Sequence, residues 1–190
     1  MIYPAANLAL MDAELYQPQG SFEGQMEYLT LLQGNPRLIF AVCTAFAAPV
    51  AKLVNAESGG IHFWGKSAHG KSTAGTLANA IYRKPTYLTW RATDNGLMAI
   101  AAAHAHNFLY LDELHQGDPK TLPTSVYDLA NEASKIRANT DGQFQQMKSW
   151  KLVYLSSGEQ TLEGMCGKTQ AGQHVRLAPI ELQGKGDSND

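Results

Sequence analysis

The first third of the chain has hydrophobic residues at helical spacing. A helix is predicted over residues 21–34, because a capping serine precedes apolar residues at helical spacing and a glycine ends the run. A second helix is predicted over 36–54, because Asn35 is followed by proline at the first helical position. Pro49 is expected to bend or break it. Residues 1–58 are therefore predicted to be an N-terminal helical segment that packs on the core.

From residue 59 onward, short apolar runs alternate with helical segments. The predicted strands are 61–64, 86–90, 107–113, 151–155 and 175–182, and the predicted helices are 73–81, 94–104 and 120–133. This alternation favours an α/β fold of three αβα layers around a mainly parallel sheet. The core is expected to span 59–182, followed by a disordered tail at 183–190.

Two segments interrupt this alternation. Thr140-Asp141-Gly142 predicts the turn of an inserted β-hairpin whose arms are 135–139 and 144–148. Residues 164–172 are predicted to be a glycine-rich loop.

Composition limits the classes of function. With 190 residues, 44% hydrophobic and 17% charged, the chain has the composition of one soluble globular domain. Its net charge is −2, so any contact with nucleic acid requires a local basic cluster. Two cysteines without metal spacing favour a cytoplasmic protein. The apolar stretch 38–54 is shorter than a bilayer helix, which favours a buried helix over a membrane span.

The clearest motif lies between the strand at 61–64 and the helix at 73–81. It reads Gly65-Lys66-Ser67-Ala68-His69-Gly70-Lys71-Ser72, followed by Thr73. This is the G-x-x-x-x-G-K-[ST] loop, whose N–H groups converge on the phosphates of ATP at a helix N-terminus. Lys71 is predicted to reach the β- and γ-phosphates and Ser72 to bind Mg²⁺.

Polar residues also end the next two buried strands. Asp112 is predicted to bind Mg²⁺ and the adjacent Glu113 to polarise the attacking water, although two acids after a strand can also simply cap a turn. Ser156 and Ser157 end the following strand. One of the two is predicted to sense the γ-phosphate or orient water, with Ser157 as the named candidate, although the sequence does not decide which serine it is; a solvated turn is the alternative.

Basic residues suggest two further roles. Arg176, expected at the start of the last strand, is a candidate arginine finger that reaches a neighbouring subunit's ATP; a surface arginine is the alternative. Around the predicted hairpin, aromatic residues alternate with the basic residues Lys135, Arg137, Lys148 and Lys151. This combination suits single-stranded DNA; the alternative is that Phe144 and Trp150 belong to the core and the lysines form a solvated edge.

Five segments together resemble a known family. They are residues 59–65, Thr89-Trp90-Arg91-Ala92-Thr93-Asp94-Asn95-Gly96-Leu97, Leu111-Asp112-Glu113, 135–139 and 171–177. Over about 20–182, the chain is similar to domain-of-unknown-function family 927. These bacterial proteins are often carried by phages and other mobile elements, and they resemble helicase-type P-loop ATPases. The resemblance implies a nucleotide-hydrolysing core.

The segment 141–151 is similar to the hairpin of superfamily-3 viral helicases, which points into the pore of a hexamer and grips single-stranded DNA. That group has asparagine at the end of the following strand, where this chain has Ser156-Ser157. Together, these features predict the ATPase core of an AAA+ or RecA-like ring that acts on DNA. A nucleotide-gated switch that moves protein partners is the alternative from a different class, and a small-molecule kinase is disfavoured because no acceptor site is evident.

Overall fold

The computed structural model describes residues 19–82, 88–134, 147–167 and 171–183. Its helices are α1 (Phe22–Thr30), α2 (Pro36–Leu53), α3 (Lys71–Asn79), α4 (Asp94–Ala103), α5 (Leu122–Ala130), α6 (Leu162–Cys166) and α7 (Ala171–Arg176). Its strands are β1 (Gly59–Trp64), β2 (Phe108–Leu111), β3 (Val153–Gly158) and β4 (Leu177–Glu181). Ser21, Asn35 and Thr93 cap α1, α2 and α4, each accepting a hydrogen bond from the N–H three residues further on.

The strands form one sheet in the order β2-β3-β1-β4, with each neighbouring pair parallel. Thr89 adds a parallel bridge to Asp112 beyond β2. Parallel strands bring their carboxyl ends to the same edge, so the segments after β1, β2 and β3 lie side by side. Helices cover both faces of the sheet, which confirms the predicted three-layer fold.

Alternation along β2 assigns its side chains to two separate cores. Leu109 and Leu111 pack with residues of α4 and α5. Phe108 and Tyr110 pack with residues of α2 and α3 on the opposite face. Since successive side chains of a strand point to opposite faces, Asp112 follows Tyr110 onto the side of α3.

The helix α2 lies on the sheet through a stripe of small residues. Ala41, Ala45 and Ala48 are fully buried, at spacings that share one helix face. The helix continues through Pro49, so of the predicted bend or break the break does not occur. Among the described residues, Pro36–Leu53 is the one helix long and apolar enough to cross a membrane, with mean hydropathy 1.4. Here its alanine stripe packs against the sheet instead, because small side chains allow close approach.

The segment after β3 differs from the predicted glycine-rich loop. Thr161 caps the short helix α6 through a 3.0 Å bond from the Gly164 N–H, and Gly167, with φ +76°, ends it. After residues 168–170, which lie outside the described ranges, α7 continues to Arg176. The last strand therefore begins at Leu177 rather than at 175.

The base of the predicted hairpin is present. Ala133 and Ser149 form an antiparallel bridge, and the Ser134 N–H donates to the Lys148 carbonyl at 2.8 Å. The arms and turn at 135–146, and the predicted tail at 184–190, lie outside the described residues.

Candidate functional site

The loop between β1 and α3 turns tightly against the end of the sheet. Gly65 has φ +144°, and a Cβ there would lie 2.5 Å from the Leu182 carbonyl oxygen, so position 65 accepts only glycine. Gly70 takes a left-handed conformation just before Lys71, the first residue of α3. The unpaired N–H groups of the α3 N-terminus therefore face the loop, the arrangement that binds phosphate groups.

Lys71 is held inside this loop. Its ammonium donates to the carbonyls of Gly65 at 2.8 Å and Lys66 at 2.6 Å, and its side chain is largely buried. A bound phosphate would exchange these carbonyl partners for phosphate oxygens. The loop thus orients the charge that phosphate binding requires.

The acidic pair lies directly across from the loop. Asp112 is buried, and its Oδ1 accepts hydrogen bonds from the Glu113 N–H at 2.9 Å and from the Ser157 hydroxyl. Glu113 has a left-handed backbone, φ +56°, and its carboxylate Oε2 lies 3.1 Å from the His115 Nδ1. The half-buried Glu113 can therefore meet solvent that enters from the cleft.

The two serines at the end of β3 point to opposite faces of the sheet. Ser157 faces α3 and bonds to Asp112 and to the Tyr110 hydroxyl, the latter at 3.0 Å. Ser156 faces the other core, where it contacts His62 and Trp90, each at 2.9 Å. The sequence alone does not show which serine faces the acidic pair. Because successive side chains of a strand point to opposite faces of the sheet, Ser157 lies beside the acidic pair and Ser156 does not.

His62 is a structural histidine with a fixed tautomer. Its Nε2 donates to the Gln160 carbonyl at 2.9 Å, so its Nδ1 accepts the Ser156 hydroxyl proton while the Trp90 indole donates to the same Ser156 oxygen. Burial, aided by the charge of Lys71, lowers the pKa of His62 to about 4. The histidine is therefore neutral at physiological pH.

A cleft of about 240 Å³ lies between these elements. One wall is formed by the predicted loop residues Ser67, Ala68, Gly70, Lys71, Ser72 and Thr73. Asp112, Glu113, Gly158 and Glu159 form the other wall. Sequence reasoning missed Gly158 and Glu159, although their position directly after the strand-ending serines was a signal for them.

The remaining predicted loop residues lie just outside this lining. Gly65 and Lys66 contribute the carbonyls that hold Lys71, and the His69 Nδ1 donates to the Leu182 carbonyl at 2.9 Å. The lining suits a phosphate ester with a divalent cation. Backbone N–H groups and an ammonium stand on one side, and the Ser72 hydroxyl and the Asp112 carboxylate are the oxygen ligands that Mg²⁺ prefers.

Arg176 lies at the opposite end of the sheet from the cleft. It is the last residue of α7, and its backbone is next to Gly59, where β1 begins. The length of β1, at about 3.3 Å a residue, separates it from its own phosphate loop. Its guanidinium donates to the Gly172 carbonyl at 2.7 Å and stacks 4.1 Å from the Tyr127 ring centroid. These contacts hold the Arg176 guanidinium at a distance from the cleft of its own subunit.

The predicted DNA-binding residues do not share one environment. Lys148 is exposed at the base of the hairpin, while Lys135 and Arg137 lie outside the described residues. Lys151 is buried, and its ammonium pairs with Glu132 at 3.2 Å and with the Ala56 carbonyl at 2.6 Å. A side chain held this way is part of the core, so Lys151 is removed from the DNA-binding set.

The fold and the loop together define a P-loop NTPase domain. The particular family follows from the sequence: the chain belongs to the domain-of-unknown-function family DUF927, whose profile matches residues 4–149. Among curated proteins, no sequence match is found.

A solved structure supports the fold, and a second structure is a weaker match. A structure titled "SCCmec type IV Cch - active helicase" matches with TM-score 0.68 and 23% identity, covering 90% of this chain and 33% of that chain. A Thermogota maritima RuvB mutant matches with TM-score 0.47 and 15% identity, covering 79% of this chain and 46% of that chain. The present chain thus spans a third of the length of that helicase.

Proposed function

We propose that this domain is the ATP-binding and ATP-hydrolysing core of an AAA+ helicase or translocase that acts on single-stranded DNA in phage or mobile-element biology. The observation that carries the proposal is the convergence of the Gly65–Ser72 loop, Asp112, Glu113 and Ser157 on one cleft. The similarity to a helicase fold supports the same class.

Each residue has a role that its position supports. The loop N–H groups and Lys71 would hold the phosphates of ATP, and Ser72 and Asp112 would hold Mg²⁺, which neutralises phosphate charge when bound. Glu113 would accept a proton from the attacking water. Ser157, bonded to Asp112, would report on the γ-phosphate from the strand between the two motifs.

A ring of subunits would complete the ATP site. Because Arg176 stands far from its own cleft, it can act only on the cleft of a neighbouring copy, as an arginine finger does. We therefore propose a homo-oligomeric ring, with six subunits as the expected number, in the full-length protein.

The test is calorimetric ATP binding combined with ATP turnover, each measured with and without single-stranded DNA. Wild type should bind ATP, and Lys71→Ala should lose detectable binding with an unchanged circular dichroism spectrum. Lys120→Ala, which removes an exposed lysine outside the cleft, is the matched control. Equal ATP affinity in wild type and Lys71→Ala would refute the nucleotide site.

DNA decides between the two classes of function. Turnover that rises with single-stranded DNA at low salt supports the helicase or translocase. The burial of Lys151 reduces the basic surface and favours a second candidate, a nucleotide-gated switch that acts on protein partners. ATP hydrolysis without any response to DNA would identify the switch.

A further inference from the structure

Tyr110 is a buried residue of β2 whose hydroxyl lies among the groups of the candidate site. Its ring fills the core between β2 and α3, with 1% of its surface exposed. Its hydroxyl lies 3.0 Å from the Ser157 Oγ, and it also interacts with the Ser72 side chain. One phenol oxygen thus contacts both a residue of the phosphate loop and a residue of the strand next to Asp112.

The hydrogen-bond directions follow from counting protons. The Ser157 hydroxyl has one proton, which it donates to Asp112 Oδ1. The Tyr110 hydroxyl then donates to the Ser157 Oγ or to the Asp112 carboxylate, with which it also interacts, and either direction leaves the phenol oxygen as the acceptor for the Ser72 proton. The resulting hydroxyl chain links Ser72 through Tyr110 and Ser157 to Asp112.

We propose that Tyr110 is a positioning residue that couples the two magnesium-ligating residues, Ser72 and Asp112, through this hydroxyl chain. The chain directs the Ser72 proton inward, so that its lone pairs face the cleft. It also engages Oδ1 of Asp112, the carboxylate that would hold Mg²⁺. This inference rests on the proposed ATP–Mg²⁺ site and adds a residue to it.

Packing alone does not account for the hydroxyl. A phenylalanine would fill the same core without burying a polar group, and burying a hydroxyl is unfavourable unless it is hydrogen-bonded. Tyr154, the buried tyrosine of the neighbouring strand, shows the purely structural case. Its hydroxyl lies 3.3 Å from the Arg176 carbonyl oxygen, at the end of the sheet away from the cleft.

The experiment measures ATP affinity by calorimetry in Mg²⁺ and in EDTA, for wild type, Tyr110→Phe and the control Tyr154→Phe. We expect Tyr110→Phe to keep the ATP affinity in EDTA within about twofold. The increase in ATP affinity that Mg²⁺ gives should fall by up to about tenfold, the upper value for one hydrogen bond between neutral groups. Tyr154→Phe should keep the wild-type gain. Since both variants lose one buried hydroxyl, general loosening of the core affects both.

A double-mutant cycle tests the chain itself. Ser157→Ala breaks the link to Asp112 while retaining the phenol, so it should lower the Mg²⁺ gain by a similar factor. Tyr110→Phe combined with Ser157→Ala should lower it no further. The single Ser157→Ala variant also tests the inference if Tyr110→Phe does not fold.

The outcomes separate this inference from the proposed function. If wild type does not bind ATP, the nucleotide site itself is refuted. If wild type binds ATP but the ratio of affinities in Mg²⁺ and EDTA is the same in Tyr110→Phe and Ser157→Ala, only the coupling role is overturned.

Discussion

The ring of Tyr110 occupies the space that a side chain at Gly75 would need. A Cβ built at position 75 overlaps the tyrosine ring, so α3 can pack on β2 only with glycine there. Gly75→Ala should therefore destabilise the domain by about 1–3 kcal/mol through overpacking. This exceeds the roughly 1 kcal/mol that alanine gains over glycine in a helix. The free energy of unfolding in urea measures the difference.

Gly24→Ala in α1 is the matched control for this prediction. A Cβ at Gly24 meets only the Ser21 Oγ at 3.4 Å, an ordinary contact, so this variant should be neutral or slightly stabilised. Gly75→Ala as stable as wild type would mean that the ring of Tyr110 is not held against α3.

Glu113→Gln should separate nucleotide binding from hydrolysis. The amide keeps the shape of the side chain but cannot accept the proton of the attacking water, so turnover should fall at least about 100-fold. ATP affinity should stay within about threefold, because the phosphates are held by the opposite wall. Calorimetry and a phosphate-release assay measure the two effects.

His115→Gln is the control for Glu113. It removes the imidazole that lies 3.1 Å from the Glu113 carboxylate but leaves the carboxylate itself. Because the pair is solvent-accessible, we expect a loss of less than about tenfold. Wild-type turnover in Glu113→Gln would eliminate this residue as the base.

His62 should make the stability of the domain depend on pH. Its pKa is lowered from 6.5 to about 4 by burial, so the unfolded chain binds more protons between these values. The stability that neutral His62 contributes is fully present above about pH 6.5 and is lost as the pH falls to about 4. The free energy of unfolding changes by an amount on the order of 3 kcal/mol over this range. The difference in unfolding free energy between wild type and His62→Gln should shrink by this amount from pH 7 to 4. A constant difference would show that His62 titrates normally.

The sequence predicts the phosphate loop and its neighbouring strands because local patterns determine them. The glycines, Lys71 and the flanking apolar runs suffice to predict a strand, a loop and a helix. The choice between Ser156 and Ser157 depends instead on which face of the sheet each occupies. That is decided by the pairing of β3 with both β1 and β2, which is a long-range property.

A predicted break and a predicted DNA contact fail because tertiary contacts override them. Pro49 removes one helical hydrogen bond, but the buried alanine stripe before it holds α2 continuous. Lys151 is a basic residue next to the predicted hairpin, yet Glu132, beside the base of the opposite arm, makes it a buried ion-pair partner. The spacing of residues along the chain reveals neither the packing of α2 nor the pairing of Lys151.

Arg176 should act on a neighbouring subunit. Arg176→Ala should retain ATP binding but lower hydrolysis about 1,000-fold or more if it is an arginine finger. Mixing Arg176→Ala with Lys71→Ala should restore part of the activity, because each subunit lacks a different half of a shared site. An inactive mixture that demonstrably co-assembles would argue against a shared site.

Tyr127 provides a second test of that arginine. Its ring stacks on the Arg176 guanidinium at 4.1 Å, so Tyr127→Leu should loosen the arginine and reduce hydrolysis by a smaller factor, about fivefold for a contact of roughly 1 kcal/mol. ATP affinity should not change. A loss of binding in Tyr127→Leu would instead indicate damage to the core.

The basic residues of the hairpin decide between helicase and switch. With Lys151 buried, the candidates for phosphate contacts are Lys135, Arg137 and Lys148. If all three contact phosphates, the logarithm of affinity for single-stranded DNA should fall with the logarithm of salt at a slope of roughly −2, since each contact contributes about −0.7. Fluorescence anisotropy over a salt series measures this slope.

Removing two of these charges should change the slope without changing sequence preference. Arg137→Ala with Lys148→Ala should reduce the slope to about −0.7 and weaken binding to all sequences alike, because phosphate contacts carry no base information.

Lys151→Ala is the informative contrast: it should lower thermal stability by breaking the pair with Glu132, while the slope stays near −2. ATP binding should survive in the double variant, whose positions lie outside the phosphate loop. If that variant binds DNA as tightly as wild type at every salt concentration, the hairpin is not the DNA grip, and the nucleotide-gated switch becomes the better description of the domain.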